Sequence, residues 1–301
     1  MSKFIPPNNL LELSKIWEFR HAGNFLELLC PQKSDEWFYY RKFRITASNY
    51  EKLIGNSPYP KSSIQDGVNE LLGLTPKLVP NTAMLLGIEN EDRVRDYVKS
   101  KFDGMEITEP SLCISNRWIS LPCLDKYGSP DRNPLHPFHF CNAGSPDGLI
   151  SHKGQLANME IKFTLNMYEK LLGEKPRSRF NNSRIPCIDK MFGNSGFIDK
   201  FGHITTSHYY QMQGCMHITN RPSCVYAVGS PDKVYIEDIP YDYNFYSNFL
   251  YPNLIHTAIN DIIPQMTTDQ VYEFKTQIEQ LQKLIPNNEY ICLEPFKVKS
   301  H

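Results

Sequence analysis

The spacing of apolar residues along the chain predicts helices that alternate with a small number of strands. Near the C-terminus an apolar residue recurs every three or four positions, as on one face of a helix: Val271, Phe274, Ile278, Leu281 and Ile285. The same spacing extends over 82–102, which predicts a long helix. Apolar and polar residues alternate instead over 156–163, which is typical of a strand with two unlike faces.

Shorter patterns predict the remaining elements. Ser48-x-x-Glu51 predicts a capping box at the start of a short helix, and Gly55 predicts where that helix ends. Three more helices are expected, over 1–36, 63–72 and 207–219. Two more strands are expected, over 224–228 and 234–239. Helices around a few central strands indicate an α/β fold with a mixed sheet.

Composition narrows the class of protein. The 301 residues include 32 basic and 33 acidic side chains, and this net charge of −1 excludes a protein that coats DNA by bulk charge but not an enzyme that acts on DNA. No apolar run is long enough to cross a membrane and no signal peptide is evident. We therefore expect an intracellular protein, of the nucleus or cytoplasm, with no membrane partner. The eight scattered cysteines lack the spacing of a metal site.

Two carboxylates and a lysine are predicted to meet on neighbouring strands. The alternation over 156–163 places Glu160 and Lys162 side by side on one face. Asp147, in Ser-Pro-Asp-Gly, is expected at the end of the preceding strand, where a β-hairpin would bring it beside Glu160. Paired carboxylates are ligands that suit Mg²⁺. The alternatives are an exposed charge pair for Glu160 and Lys162 and an ordinary turn aspartate for Asp147.

Two predicted helices each add a polar residue to this picture. Glu91 lies on the apolar stripe of the 82–102 helix, where an ionised carboxylate is costly unless it is paired or bound to a metal. A structural salt bridge is the alternative. Gln211, on the 207–219 helix, is the only glutamine of that helix expected to point at the sheet, because Gln213 lies off its face. There it would orient a water or a phosphate, or simply be a satisfied amide.

Five motifs together resemble one enzyme family. In chain order they are Trp37-x-x-x-Arg41-x-x-x-Ile45-Thr46-Ala47-Ser48, Gly87-x-x-x-Glu91, Ser145-Pro146-Asp147-Gly148, Glu160-x-Lys162 and His208-x-x-Gln211-x-Gln213. Their order and spacing resemble the PD-(D/E)xK nuclease superfamily, and within it the lambda-exonuclease-like, YqaJ-type branch that includes viral alkaline exonucleases. The resemblance covers 37–239 and implies a restriction-endonuclease-like core.

The resemblance implies roles for the acidic constellation. Asp147 and Glu160, with the backbone carbonyl of Ile161, would bind one or two ions of Mg²⁺ or Mn²⁺, and Glu91 would contribute directly or through water. Lys162 would position or deprotonate the attacking water and stabilise the transition state. Gln211 would orient Lys162 or the scissile phosphate.

The family segment near the N-terminus implies a site for the 5′-terminal phosphate of a DNA end, held by Arg41 and Ser48. A serine at a helix N-terminus independently favours an anion. Arg44 is a further candidate for DNA contact. Residues 170–190 carry six basic and two acidic side chains, a local charge of +4, and are interpreted either as a loop that tracks phosphates or as a plain solvated surface. The candidate contacts there are Arg177, Arg179 and Arg184.

These observations predict a metal-dependent DNA exonuclease that degrades linear double-stranded ends from 5′ to 3′ in recombination or viral DNA processing. A single-strand annealing protein is an implied partner. The alternatives are an endonuclease or a ribonuclease of the same fold, with RNA as substrate, and a weakly active protein that binds DNA ends for recombination. One structural domain is expected, divided into a helical extension over 1–36, a nuclease core over 37–240 with a loop inserted at 170–205, and C-terminal helices over 241–301 packed on the core.

Overall fold

A computed structural model describes residues 19–55, 63–75, 80–121, 138–140, 142–163, 207–230, 234–284 and 289–292. The helices are α1 Asp35–Arg41, α2 Tyr50–Leu53, α3 Ile64–Leu71, α4 Thr82–Lys101, α5 Ser207–Thr219, α6 Tyr243–Phe245, α7 Tyr251–Thr257 and α8 Thr268–Leu284. Short 3₁₀ turns occupy Ala47–Asn49 and Ile263–Gln265, and π turns occupy Tyr246–Leu250 and Ala258–Ile262. None of the described helices combines the length and the apolar character that a membrane span requires.

The strands form three sheets. They are β1 Phe19–His21, β2 Phe25–Leu28, β3 Glu106–Thr108, β4 Leu112–Ser115, β5 Arg117–Leu121, β6 Phe138–Phe140, β7 Ala143–Gly144, β8 Gly148–His152, β9 Gln155–Phe163, β10 Ser223–Gly229, β11 Val234–Pro240 and β12 Glu289–Cys292. Their orders are β1-β2-β4-β7, β11-β10-β9-β8-β3 and β12-β5-β6. In the five-stranded sheet β9 and β10 are parallel and the other neighbours are antiparallel, so the predicted mixed sheet is confirmed.

The five-stranded sheet lies between two helices. One face of β9 carries Met159 and Ile161, which form an apolar cluster with Val94 and Val98 of α4. The opposite face of β9 is directed at α5. Gly229 of β10 permits the close approach of α4, because a Cβ there would lie 2.3 Å from Cγ2 of Val94. The alternation in the sequence therefore predicted correctly which residues of β9 are apolar packing and which are available for chemistry.

The N-terminal region differs from the prediction. Within 1–36 we expected helices, but 19–28 form a hairpin of β1 and β2, with Gly23 in the left-handed turn between them. All four residues of β2 are buried, because the strand lies between β1 and β4. A short apolar run that is buried on both faces has no alternation, and periodicity alone does not distinguish it from a helix. Residues 1–18 lie outside the described part.

The described C-terminal helices share an apolar cluster with N-terminal elements. The stripe on α8 joins the largest apolar cluster through its members Val271, Phe274, Ile278 and Leu281, all of them buried. The same cluster includes residues of α1, α2 and β4. Residues 241–284 and the segment around 37–53 therefore share one core.

Candidate active site

The first feature of the site is the approach of Asp147 to β9. The amide of Asp147 donates to the carbonyl of Met159 at 3.0 Å, and its carboxylate Oδ2 accepts from the amide of Ile161 at 2.6 Å. Asp147 precedes β8 rather than ending the strand before it, and the hairpin turn lies at 153–154. Gly148 fits because a Cβ there would lie 2.9 Å from Cγ2 of Ile107. The predicted meeting of Asp147 and β9 is therefore present, although the hairpin that produces it is a different one.

Glu160 is the centre of the polar cluster. Its side chain is 1% exposed, and both carboxylate oxygens accept a hydrogen bond from the chain itself. Lys162 Nζ donates to Oε1 in a short ion pair, and Gln211 Nε2 of α5 donates to Oε2 at 3.0 Å. The structure thus brings together Glu160, Lys162 and Gln211, which the sequence placed on two separate elements.

Burial sets the electrostatics of this cluster. It raises the pKa of Glu160 and of Asp147 above their ordinary values, and for Glu160 the neighbouring Asp147 charge adds to the effect. Lys162 opposes both shifts. Burial would lower the pKa of Lys162, but the carboxylates of Glu160 and Asp147 hold it above its usual range. The lysine is therefore a persistent cation between two acids whose negative charge the folded chain disfavours.

Glu91 joins the cluster through Arg95, which the sequence reasoning missed. Arg95 Nη2 binds Oε1 of Glu91 at 2.9 Å, and its Nε donates to the carbonyl of Asp147 at 3.3 Å. Burial raises the pKa of Glu91, the charge of Asp147 raises it further, and Arg95 opposes the shift. The salt bridge considered as the alternative for Glu91 is thus present. Its partner lies four residues on in the same helix, so the i,i+4 rule would have found it.

The two glutamines of α5 point in different directions, but the prediction that only Gln211 faces the sheet is wrong, because both bind the five-stranded sheet. Gln211 faces Glu160, whereas Gln213 is 0% exposed and binds the far end of β11. Its Nε2 donates to the carbonyl of Pro240 at 3.0 Å, and its Oε1 accepts from the amide of Asp242 at 2.8 Å. Gln213 therefore attaches α5 to the sheet edge, which keeps Gln211 over β9.

Asp147, Glu160 and Glu91 are the candidate ligands for a divalent cation. In the described part of the chain, no group of three or more His, Cys, Asp or Glu side chains has the arrangement of a metal site. The carboxylates are instead bound by the chain: Glu160 by Lys162, Asp147 by a backbone amide and Glu91 by Arg95. Mutually repelling carboxylates are nevertheless the hard oxygen ligands that Mg²⁺ and Mn²⁺ take, and a cation would offset their repulsion. The residue types therefore suit such an ion, whereas in the described residues the carboxylates bind other groups of the chain.

A second polar site lies at the end of α1. Arg41 Nη2 donates to Oγ1 of Thr46 at 3.2 Å and to Oγ of Ser48 at 3.1 Å. The guanidinium stacks over the ring of Trp37 at 4.2 Å. Burial lowers the pKa of Arg41 to about 10, so it remains a cation at neutral pH. Arg41 and Ser48 are therefore brought together, and Thr46 is an additional hydroxyl that the motif contained but the prediction did not use.

The capping box predicted at Ser48 is absent. Ser48 lies inside the 3₁₀ turn Ala47–Asn49, whose N-cap is Thr46, and neither residue uses its side chain to cap the turn. The hydroxyl of Ser48 is occupied by Arg41 instead. The hydrogen bond from Arg41 of α1 takes the place of the predicted bond between Ser48 and a backbone amide. A hydrogen bond from a charged guanidinium is stronger than one from a neutral amide.

Two close backbone approaches connect this second site to the acidic cluster. Thr46 pairs with Ala143, and the amide of Ala143 donates to the carbonyl of Ile45 at 3.2 Å. Ala143 lies four residues before Asp147. On the other side, Gly214 of α5 allows contact with Tyr50, since a Cβ there would lie 2.4 Å from the tyrosine Cε2. Strand β7 and helix α5 therefore link the two sites.

The remaining candidates for DNA contact divide into two groups. Arg44 is 1% exposed and donates to the carbonyl of Tyr40 and to Gln277, so its predicted contact with DNA is wrong. It is buried because α8 covers it, and the position of α8 is not apparent from local sequence. The basic candidates Arg177, Arg179 and Arg184 lie outside the described residues.

No family model matches the chain, and no curated protein sequence matches it. Solved structures similar to it include the alkaline exonuclease LHK-Exo from Laribacter hongkongensis, at 19% identity over 83% of this chain and 100% of that chain, with a TM-score of 0.45. LHK-Exo in complex with dAMP has the same identity and coverage and a TM-score of 0.48. A phage-related exonuclease from Haemophilus somnus is 12% identical over 80% of this chain and 96% of that chain, with a TM-score of 0.37. Similarity at this level does not assign a reaction.

Proposed function

We propose that this protein is a metal-dependent DNA exonuclease that degrades linear duplex ends from 5′ to 3′. The observation that supports it most directly is the cluster of Asp147, Glu160 and Lys162 on adjacent strands, with Gln211 bound to the buried carboxylate. A purely structural ion pair does not require a second acid and an amide converging on it. Buried carboxylates with raised pKa values are typical of sites that bind a cation or transfer protons.

Asp147 and Glu160 would hold a divalent ion, which when bound acidifies a water and neutralises phosphate charge. Glu91 would join them only if Arg95 released its carboxylate. The pKa of Lys162 lies above its usual range, so its ammonium stays charged at neutral pH. A charged ammonium cannot accept a proton, so Lys162 would stabilise the charge of the phosphate and would not act as a base. Gln211 would keep the Glu160 carboxylate in place through its amide hydrogen bond.

The second site would bind the 5′-terminal phosphate. The guanidinium of Arg41 and the hydroxyls of Thr46 and Ser48 are donors that match phosphate oxygens, and Ser48 is exposed. Its linkage to the acidic cluster through β7 and α5 supports a single substrate that reaches both sites. Duplex DNA ends in an intracellular compartment are therefore the proposed substrate, and a single-strand annealing protein that receives the product strand is the proposed partner.

One digestion experiment tests this function. End-labelled linear duplex, circular duplex, single-stranded DNA and RNA are incubated with the protein in Mg²⁺ and in EDTA, and the products are separated on a denaturing gel. We expect linear duplex with a 5′-phosphate to be degraded in Mg²⁺ alone. Cleavage of the circle would indicate an endonuclease, loss of RNA a ribonuclease, and no cleavage a DNA-end-binding protein. Full activity in EDTA would contradict the metal requirement.

A further inference from the structure

A buried polar contact joins helix α8 to the turn after α1. This turn connects Arg41 to Thr46 and Ser48, which together are called the phosphate site. Arg44, 1% exposed, donates through Nη1 to the carbonyl of Tyr40 at 2.7 Å and to Oε1 of Gln277 at 2.6 Å. Gln277, 0% exposed, donates through Nε2 to the carbonyl of Tyr39 at 3.2 Å. The two side chains thus bind carbonyls in the last turn of α1, where the backbone carbonyls have no amide of the same helix to bind. Arg41 is the last residue of that turn.

The turn between the two halves of the phosphate site has a strained backbone. Phe43 has a φ of 62°, a left-handed conformation that an aromatic residue rarely adopts. Such a conformation persists where the surroundings enforce it. Phe43 is buried and packs edge-on against Phe274 of α8, with ring centroids 6.2 Å apart. Helix α8 therefore holds the chain between Arg41 and Ser48 through both a polar and an apolar contact.

The Arg44 guanidinium lies over the ring of Phe274 at 5.8 Å, but its hydrogen-bonding groups are only partly used. Among the described residues no carboxylate lies within salt-bridge distance of its guanidinium, and its Nε and Nη2 have no hydrogen-bond partner there. A buried ion with few partners costs free energy, and its attested role is to select one arrangement of packed elements. In this protein the buried charge of Arg44 would select one arrangement of α8 relative to the turn after α1.

We propose that Gln277 is a positioning residue that acts through Arg44 to set the spacing of Arg41 and Ser48, and so the preference for 5′-phosphorylated ends. This inference rests on the proposed function of that site. It extends the machinery for end recognition to α8, which lies beyond the motifs at 37–239. Neither Gln277 nor Arg44 would contact DNA, because both are enclosed by protein.

The test measures binding without turnover. Fluorescence anisotropy in EDTA gives Kd values for two labelled duplexes that differ only in a 5′-phosphate or a 5′-hydroxyl. Gln277→Met removes both hydrogen bonds at similar volume, and we expect the preference for the phosphate to fall by about tenfold, the equivalent of one charge-assisted hydrogen bond. The Kd for the hydroxyl end should not change. Tyr272→Ala, at a 75% exposed position of α8, is the matched control and should keep the preference.

Further variants separate positioning from folding. The double variant Arg44→Met/Gln277→Met replaces both polar partners with apolar ones, so it should recover the Tm lost by Gln277→Met without recovering the phosphate preference. Gln277→Glu keeps an acceptor for Arg44 and should retain the preference.

Three outcomes would overturn the inference: an unchanged preference in Gln277→Met, a parallel rise of both Kd values, or a preference restored in the double variant. A wild-type protein that binds both ends equally would also overturn it. A wild-type protein that prefers the phosphate but leaves DNA intact in Mg²⁺ would contradict the proposed function and not this inference.

Discussion

The acidic cluster and the phosphate site use charge in opposite ways. In the acidic cluster Glu160 is enclosed, and the chain's own lysine and amides occupy the carboxylates. In the proposed phosphate site Arg41 is half-buried and Ser48 is exposed, and Arg41 donates a hydrogen bond to the hydroxyl of Ser48. In the first site burial disfavours the charges of Asp147 and Glu160 although Lys162 opposes this effect, whereas the second presents hydrogen-bond donors at the surface. Changes in the first should therefore alter turnover and stability, and changes in the second should alter affinity.

The largest effect is expected at Asp147. Asp147→Asn should lower kcat by roughly 10³-fold or more, because it removes a charge from the ion-binding set. Since burial raises the pKa of Asp147, its ionised form opposes folding above that pKa, and the same variant should raise the free energy of unfolding at pH 8. Digestion assays and urea unfolding in EDTA measure the two quantities. Asp96→Asn, at an exposed position of α4, is the control. A lower stability in Asp147→Asn would reject the contrast between the sites.

Lys162 should show the opposite change in stability. Lys162→Ala should abolish activity and lower the free energy of unfolding by about 3 kcal/mol, because it leaves Glu160 buried without its cation. The exposed pair of Lys52 and Glu70 provides a comparison, since Lys52→Ala should cost less than about 1 kcal/mol. Urea unfolding of both variants checks this. Equal losses would mean that the ion pair of Glu160 is no stronger than a surface pair.

Arg41 should affect affinity alone. Arg41→Gln should raise KM for 5′-phosphorylated ends by about tenfold, the loss of one charge-assisted contact, while kcat stays constant. Ser48→Ala removes a neutral donor and should have a smaller effect of about threefold. Steady-state digestion of phosphorylated and hydroxyl ends measures both. A fall in kcat with unchanged KM would show that the two sites are not separable.

The last prediction concerns a pH dependence at His208, which contacts Tyr226 of β10 and lies near Lys162. Its Nδ1 is 2.8 Å from the hydroxyl of Tyr226, and burial, helped by the charge of Lys162, lowers its pKa to about 3. The unfolded chain thus binds more protons than the folded chain between about pH 3 and 6.5, so stability falls as the pH drops through that range.

Replacing this side chain should flatten that dependence. In His208→Gln the slope of unfolding free energy between pH 4 and 6 should decrease by up to about 1.4 kcal/mol per pH unit. Urea unfolding at several pH values measures the slope. His256→Gln, at an exposed position, is the control. An identical slope in His208→Gln and in the wild type would show that His208 does not cause the pH dependence of stability.

Local sequence predicted which faces of their elements the residues of the acidic cluster occupy, because a residue's face depends on short-range geometry. Alternation along one strand sets Glu160 beside Lys162, and helical spacing directs Gln211 away from the face of Gln213. It failed where a distant element decides the environment. The position of Arg44 near Arg41 and Ser48 led us to propose from the sequence that Arg44 contacts DNA. In the structure Arg44 is buried under α8, where it binds Gln277, 233 residues further along the chain.

The same distinction applies to the whole chain. Periodicity by itself predicted the helices α4, α5 and α8, the faces of β9 and the mixed α/β class, because the spacing of apolar and polar residues follows the repeat of each element. Tertiary structure decided the hairpin over 19–28, the loss of the cap at Ser48 and the pairing of Glu91 with Asp147 through Arg95. In the first and third cases residues far apart in sequence meet, because β2 pairs with β4 and Arg95 binds the backbone carbonyl of Asp147. In the second, Ser48 binds Arg41 of another element instead of capping its own turn.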